Sequence, residues 1–458
     1  MPFAHILRRC LAPLAIVAVL LGLAPPASAG GLWIPLHGVV PSGRASAVTA
    51  GIRDPNAIYF NPAALALIDE HTLLVDAAWI DLWLSFQRAD AVARNGESIS
   101  FEEVNNESPG IAAPQLLFSA RLAEEWALGL GLYTPWAARA RFPTRGPQRY
   151  SVVDLSGSMI INAHLAVAWR PHPRFSFGAG LINTFSILDG VGVASTYVGL
   201  WGEPEDPDLD SLVHIRATDL FSLSFNAGLW FEPVDGLELA LSVTGPTTIS
   251  DDHASFETQL PSHYVFDDTY VDGDTMGLAM DLPWMVRAGI RYAQAAFDIE
   301  LDLHWESWSV QQKVRTWPNN VRIMNVPTVG SIQADRLNID RRMQDSYGIA
   351  LGGDWRVLPE LLVLRAGLGF ESGSAPDEMY SVFEYDSDKL YPTLGASVLL
   401  DPFSIDVSYA YVAQLPRQIR NSQARQVNSA YPEGATVIAN GDYESGYNVI
   451  GLGFRVAF

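Results

Sequence analysis

The segment AFDIELDLHWESWS limits the fold more than any other part of the chain. Phe297, Ile299, Leu301, Leu303 and Trp305 alternate with Asp298, Glu300, Asp302, His304 and Glu306. A period of two that separates an apolar row from a polar row is a strand pattern. FSIDVSYAYV repeats it with Phe403, Ile405, Val407, Tyr409 and Tyr411 against Ser404, Asp406 and Ser408, and LFSLSFNAGLWF does so from Phe221 to Phe231. The pattern predicts strands over 72–86, 112–122, 126–134, 156–170, 174–189, 218–232, 236–250, 284–293, 296–310, 345–357, 361–373, 390–400, 403–414 and 446–458. Most run to about 10–15 residues, against about 5–6 in soluble sheets, and are long enough to cross a bilayer at a tilt.

The connections alternate in length. Short ones are Ala123–Glu125, Pro171–Pro173, Pro233–Asp235, the pair at Gln294, Leu358–Glu360 and Asp401–Pro402. The others run from roughly sixteen to over thirty residues, the parity of a membrane barrel with short periplasmic turns and long external loops. The expected fold is all-β: a transmembrane antiparallel barrel of about 14 strands over 71–458. The closing stretch agrees, since Ile450, Leu452, Phe454, Val456 and Phe458 fall at two-residue steps. A soluble sandwich has the same alternation, but closure is what lets long uniform strands exist without exposed edges.

Residues 1–29 read as a cleaved secretory signal: a basic start at Arg8 and Arg9, the apolar run LAPLAIVAVLLGLA, and PPASA with cleavage after Ala29. Cys10, the only cysteine, lies ahead of the apolar run, so it is not read as a lipid anchor. Without disulfides, backbone pairing or a large core must hold the exported chain together. No later apolar run reaches the about 18 residues of a membrane helix. A net charge of -22 argues against nucleic acid as a partner.

Ahead of the first strand stands SGRASAVTAGIRDPNAIYFNPAALALI. A barrel of this width needs its lumen filled, because an eight-stranded one is filled by side chains and one of sixteen to eighteen holds an aqueous channel. Asn61 is placed to cap a turn that Pro62 opens and Ala63 continues. Residues 30–70 are therefore expected to form a hatch inside the lumen. This stretch, with Asn61-Pro62-Ala63, resembles the amino-terminal signature of the FadL/TodX family of outer-membrane transporters of hydrophobic compounds. RYSVVDLSGSMIINAHLAVAWRPHPRFSFGAGL, LPWMVRAGIRYAQAAFDIELDLHWESWS and DSYGIALGGDWRVLPELLVLRAGLGFESGSAP resemble later strand pairs of the same family.

The resemblance implies a monomeric barrel in the outer membrane of a Gram-negative cell. It would be inserted by the barrel-assembly machinery and surrounded by lipid and lipopolysaccharide. It would carry long-chain fatty acids or hydrocarbons by diffusion through a lumen pocket to a lateral opening at a kinked third strand. Gly129, Gly131 and Pro135 are the candidates for that kink. A surface-protein shuttle or scaffold on the same barrel, and a general porin, remain the alternatives.

The third and fourth loops are acidic, and the fifth is basic. Arg315, Arg322 and Arg336 are the candidate contacts for a ligand carboxylate, which a guanidinium fork suits, although salt bridges between loops or contacts with anionic lipid headgroups are the preferred reading. Trp83, Trp136, Trp201 and Trp308 sit near expected strand ends or in loops, where girdle placement accounts for most of them, and Trp136, Trp201, Tyr264 and Phe266 are candidates for an apolar capture groove. His304 with Glu300 and Glu306, and His164 with Asn162, are expected to hydrogen-bond in the lumen. No nucleophile elbow, zinc-protease helix or phosphate loop is present, so no enzyme activity and no cofactor is expected. VFDDTYVDGDTMG lacks the ligand spacing of a calcium loop, so no metal is expected either.

Overall fold

The computed structural model describes residues 36–92, 96–135, 139–319, 321–333, 338–428 and 431–458. Residues 1–29 lie outside them. Fourteen strands make one closed antiparallel wall. They are β1 Thr72–Arg88, β2 Ile111–Arg121, β3 Trp126–Tyr133, β4 Met159–His172, β5 Phe175–Ser195, β6 Asp210–Val234, β7 Leu237–Thr244 continued by Thr247–Gln259, and β8 Thr275–Leu282 continued by Met285–Ala293. The rest are β9 Phe297–Glu306, β10 Ser346–Leu358, β11 Leu362–Glu371, β12 Lys389–Leu400, β13 Phe403–Gln414 and β14 Gly441–Ala457. Each pairs with the next, and β1 closes on β14 in a ladder from Thr72↔Ala457 to Arg88↔Gly441. Lipid cannot replace a missing backbone partner, so this closure is what makes a strand-built wall viable in a bilayer.

The wall departs from the expected spans on the external side. β5 ends at Ser195 rather than near 189, β6 begins at Asp210 rather than 218, β7 ends at Gln259 rather than 250, and β8 begins at Thr275 rather than 284. Beyond the lipid band these extensions pack within the protein rather than against lipid, with Val193, Ser211, Ala254, Met276, Leu278 and Met280 buried. Pairing continues there without the alternation that marks a strand. β7 and β8 also break together: Thr244 pairs with Met285 and Thr247 with Leu282, which leaves Gly245-Pro246 facing Pro283-Trp284. The two prolines have no N–H to give the ladder.

Residues Leu36–Ile68 run inside the ring and are almost entirely buried. Asn61 Oδ1 accepts from the Ala63 N–H at 3.1 Å and Pro62 opens the turn Pro62–Leu67, the expected cap. Asn61 Nδ2 donates to the Leu229 carbonyl of β6 at 3.1 Å, which fixes the turn to the wall. The polar row of β9 holds the rest. Asp302 Oδ2 accepts from the Val48 and Thr49 N–H groups at 2.9 and 2.8 Å, and Glu300 Oε1 from Ala50 N–H at 2.6 Å. Arg44 reaches Asp298 at 2.7 Å, Glu300 at 3.3 Å and Asp354 at 3.2 Å. Arg291 of β8 bridges Glu238 at 2.8 Å and Asp298 at 2.9 Å. Charges buried this deeply are tolerable only when paired, and removing one partner typically costs about 3–5 kcal/mol.

The wall is flattened where the leader lies on it. A Cβ at Gly178 would overlap the Pro62–Ala63 peptide, and one at Gly367 would overlap the Arg44–Ala45 peptide. Glycine is needed there for close approach of two backbones. Replacing Asp302 by Ala strips three leader donors of their acceptor, two backbone N–H groups and the Thr49 hydroxyl. In limited trypsinolysis of the detergent-purified barrel, the expected outcome is cleavage at Arg44 and Arg53 at least about tenfold faster than in the parent, while the wall resists digestion.

Candidate functional site

The leader presents its aromatic side toward the end of β3. The His37 ring lies 4.2 Å from that of Tyr59 and 5.0 Å from that of Tyr133, and Tyr59 packs edge-on against Phe60 at 4.8 Å. Arg287 of β8 sets its guanidinium 4.8 Å from the Tyr59 ring centre and donates to the Tyr59 hydroxyl at 3.0 Å. Three small cavities surround this cluster. One of about 40 Å³ is lined by Tyr59, Tyr133, Pro135, Asn226, Pro283 and Met285 among others. A second of about 20 Å³ lies beside His37 and Gln115, and a third of about 20 Å³ beside Phe60, Arg287, His304 and Tyr391.

A relay of hydrogen bonds ties β3 to the leader. Asn226 Nδ2 donates to the Ile58 carbonyl at 2.7 Å, so its Oδ1 faces His164 Nε2 at 3.1 Å. That acceptor requires the proton on Nε2, which leaves Nδ1 to accept from the Tyr133 hydroxyl at 3.0 Å. His164 therefore bonds Tyr133 and Asn226, and the expected neighbour Asn162 accepts from Thr184 Oγ1 at 3.0 Å instead. His304 pairs with Glu371 at 3.1 Å rather than with Glu300 or Glu306. His304, Glu306 and Glu371 gather ligand atoms as a metal site would. Lys389 already stands 2.6 Å from Glu371 and 2.7 Å from Asp386, so Glu371 has a cation of its own.

On the lipid side, a groove of about 510 Å³ runs beside β3 between Leu116, Phe118, Leu130, Leu132 and Leu165, with Gly131 and His164 also lining it. Gly129 and Gly131 lie on the inward row of β3, and a Cβ there would touch Leu65 or Leu117, with Ile58 close behind. At Gly131 a glycine backbone separates the groove from the leader. β3 pairs with both neighbours in unbroken register until Tyr133, and Pro135 follows the last ladder pair.

The loop candidates among the described residues are not gathered into one site. Arg315 forks onto Asp281 at 2.6 and 3.1 Å, the salt bridge that the sequence reading favoured, and exposed Arg322 donates to Gln333 at 3.1 Å. Phe266 is buried with Tyr197, Leu209 and Val326, Tyr264 is exposed on His263, and Trp201 is half-buried. Arg336 and Trp136 lie outside the described residues. Trp308, expected in a girdle, points inward and donates to Glu306 at 2.8 Å, because the chain turns in over Trp308–Val310. His37, Gln115 and Arg287 were not singled out from the sequence. Strand parity places Gln115 and Tyr133 on inward rows, but nothing local joins them to a leader residue.

Above the chamber the external loops are stitched together. Arg88 forks onto Glu205 at 2.6 and 2.7 Å, Thr436 donates to Glu205 at 2.6 Å, and Arg149 reaches Asp210 at 2.7 Å. Burial alone would raise the Glu205 carboxyl, but the Arg88 fork, Thr436 and Arg149 outweigh it and hold it below its ordinary 4.5. A lowered carboxyl stabilises the closed loops above the ordinary value and loses that contribution as pH falls through the lowered one. Hydrogen-exchange protection over 196–209, measured against the unstructured rate at each pH, should therefore be constant above the ordinary value of 4.5 and be lost only well below it in the parent. In Glu205→Gln that protection should be low at every pH.

The outer membrane protein transport family (OMPP1/FadL/TodX) matches this chain over residues 20–458. Outer membrane protein P1 of Haemophilus influenzae is 20% identical over 459 residues, covering 91% of this chain and 92% of that protein. A Pseudomonas aeruginosa FadL homologue has the same fold at a TM-score of 0.75 and 17% identity, over 93% of this chain and 100% of the other. The toluene transporter TodX of Pseudomonas putida superposes at a TM-score of 0.65 with 14% identity, over 93% and 99%.

Proposed function

This chain belongs to the OMPP1/FadL/TodX family of outer-membrane transport proteins, whose members are channels and not enzymes, and on that premise we propose that it passes apolar small molecules such as long-chain fatty acids or hydrocarbons by diffusion. The observation that carries the reading is the placement of the leader's aromatic side. It fills the lumen where a glycine backbone separates it from an apolar groove on the lipid face. In this account the leader is the hatch, with Asn61, Pro62 and Ala63 as its fixed end. The anchored part from Arg44 to Ala63 stays on β9 and β6 while the start, Leu36–Ser42, shifts. A ligand then reaches the Tyr59–Tyr133 chamber and leaves sideways beside β3, where Gly131 offers no side chain to obstruct it.

The exposed arginines are poor carboxylate hooks in this account, since Arg315 is already forked. Arg287 is the cation nearest the chamber. The filled lumen supports gated passage over a general aqueous porin. It also gives the scaffold alternative a specific footing, because cavities of about 20 and 40 Å³ hold no whole ligand until something moves. The working unit is a monomer in contact with outer-membrane lipid and lipopolysaccharide, delivered by the barrel-assembly machinery.

Uptake into proteoliposomes decides between these. Laurate or toluene should enter at least about tenfold faster than into protein-free vesicles, while a sugar of similar mass should not. Gly131→Leu should slow apolar uptake by about tenfold. Equal uptake with and without protein would support the scaffold, and rapid sugar flux would support a porin.

A further inference from the structure

At its start the leader crosses β1 and β2, and encloses the cavity of about 20 Å³ with Asp76, Gln115, Thr134 and Pro135. Two polar side chains of this cavity, His37 and Gln115, are 8% and 5% exposed. Each keeps one buried atom without a hydrogen-bond partner, His37 Nε2 and Gln115 Oε1. Turning the Gln115 amide does not relieve this. Its Nε2 donates to Asn56 Oδ1 at 2.7 Å and to Asp76 Oδ2 at 2.8 Å. Asn56 Nδ2 is itself committed to Asp54 Oδ1 at 2.9 Å, so Asn56 can offer Gln115 only an oxygen. A flipped amide would set oxygen against oxygen twice. Gln115 Oε1 is thus fixed as a spare acceptor in a nearly dry place. Pro135 lines this cavity and also the one of about 40 Å³ behind Tyr59 and Tyr133.

We propose that His37 and Gln115 form a headgroup subsite on the transport path that selects an uncharged apolar molecule carrying one hydroxyl, an alkanol or a phenol. The inference rests on the transport reading above and adds which headgroup the path prefers. With His37 in the tautomer protonated at Nε2, a hydroxyl donates its proton to Gln115 Oε1 and accepts from Nε2–H with a lone pair, so one group satisfies both atoms. A carboxylate has no proton for Gln115 and would be buried without a cation beside it. An alkane leaves both buried atoms unmatched. The cavity has room for about one oxygen-sized group. The hydrocarbon therefore extends past Pro135 toward the cavity behind Tyr59 and Tyr133, in space that opens when Leu36 withdraws while His37 keeps its place.

Equilibrium binding of decan-1-ol, decanoate and decane to the detergent-purified mature protein, at matched free concentrations, tests this. Decanol should bind about tenfold more tightly than either of the others. His37→Phe and Gln115→Leu should each weaken decanol binding by about tenfold, toward the parent's affinity for decane. Decanol binding no tighter than decane, decanoate binding tightest, or a preference for decanol that survives both substitutions would overturn the subsite while leaving transport intact. If none of the three binds, the transport reading fails and takes this one with it. The comparison of ligands on the parent protein decides the matter even where a variant does not fold.

Discussion

Inside a bilayer every backbone N–H and C=O must find its partner within the protein, and a strand can do so only if the sheet has no edge. Most other features of this molecule follow from that closure. The apolar row of each strand is free to face lipid because the ladder behind it is complete, as in β1 and β14 from Thr72↔Ala457 to Arg88↔Gly441. Closure at this width creates a lumen that side chains alone do not fill. The polar rows must then be satisfied by something inside, and the leader supplies it. Its own backbone donors, which would be costly to bury unpaired, are the partners of Asp302 and Glu300 on β9. Wall and leader thus each supply hydrogen bonds that the other lacks.

That reciprocity has two mechanical ends. From Arg44 to Ala63 the leader is held by ion pairs, backbone bonds and glycine-lined approaches, so moving it would expose several charges at once. At its start the attachment is lighter: Val39 N–H donates to Asp76 at 3.1 Å. Among the described residues, His37 covers the chamber by ring stacking and Leu36 by apolar contact. A hatch that must stay in the barrel and yet admit ligand needs this inequality between its two ends.

How much was legible in the sequence follows from which contacts are local. The alternation from Phe297 to Glu306 put Asp298, Glu300 and Asp302 on the lumen face, and that is where they are. Asn61-Pro62-Ala63 carried its own capping chemistry within three positions. The partners of β9 were not legible, because Thr49 and Asp302 are separated by 253 positions and nothing near either names the other. The external ends of β5 to β8 escaped because strand pairing above the lipid needs no alternation. Trp308 was misplaced for a related reason: aromatic residues near strand ends suit a girdle, and only the inward turn after Glu306 sends this one to the interior. His37, Gln115 and Tyr133 are single residues from three segments, and their meeting is a property of the closed ring.

The central claim is that apolar ligands pass only when the start of the leader moves. A Cβ at Gly453 of β14 would lie 3.5 Å from the Val39 Cβ, the spacing of a disulfide, and the one native cysteine, Cys10, lies in the expected signal. Uptake of laurate into proteoliposomes by the Val39→Cys/Gly453→Cys protein, measured oxidised and then reduced, tests that claim most directly. Oxidation should lower uptake to that of protein-free vesicles, and reduction should restore it. Undiminished uptake by the fully oxidised protein would contradict it.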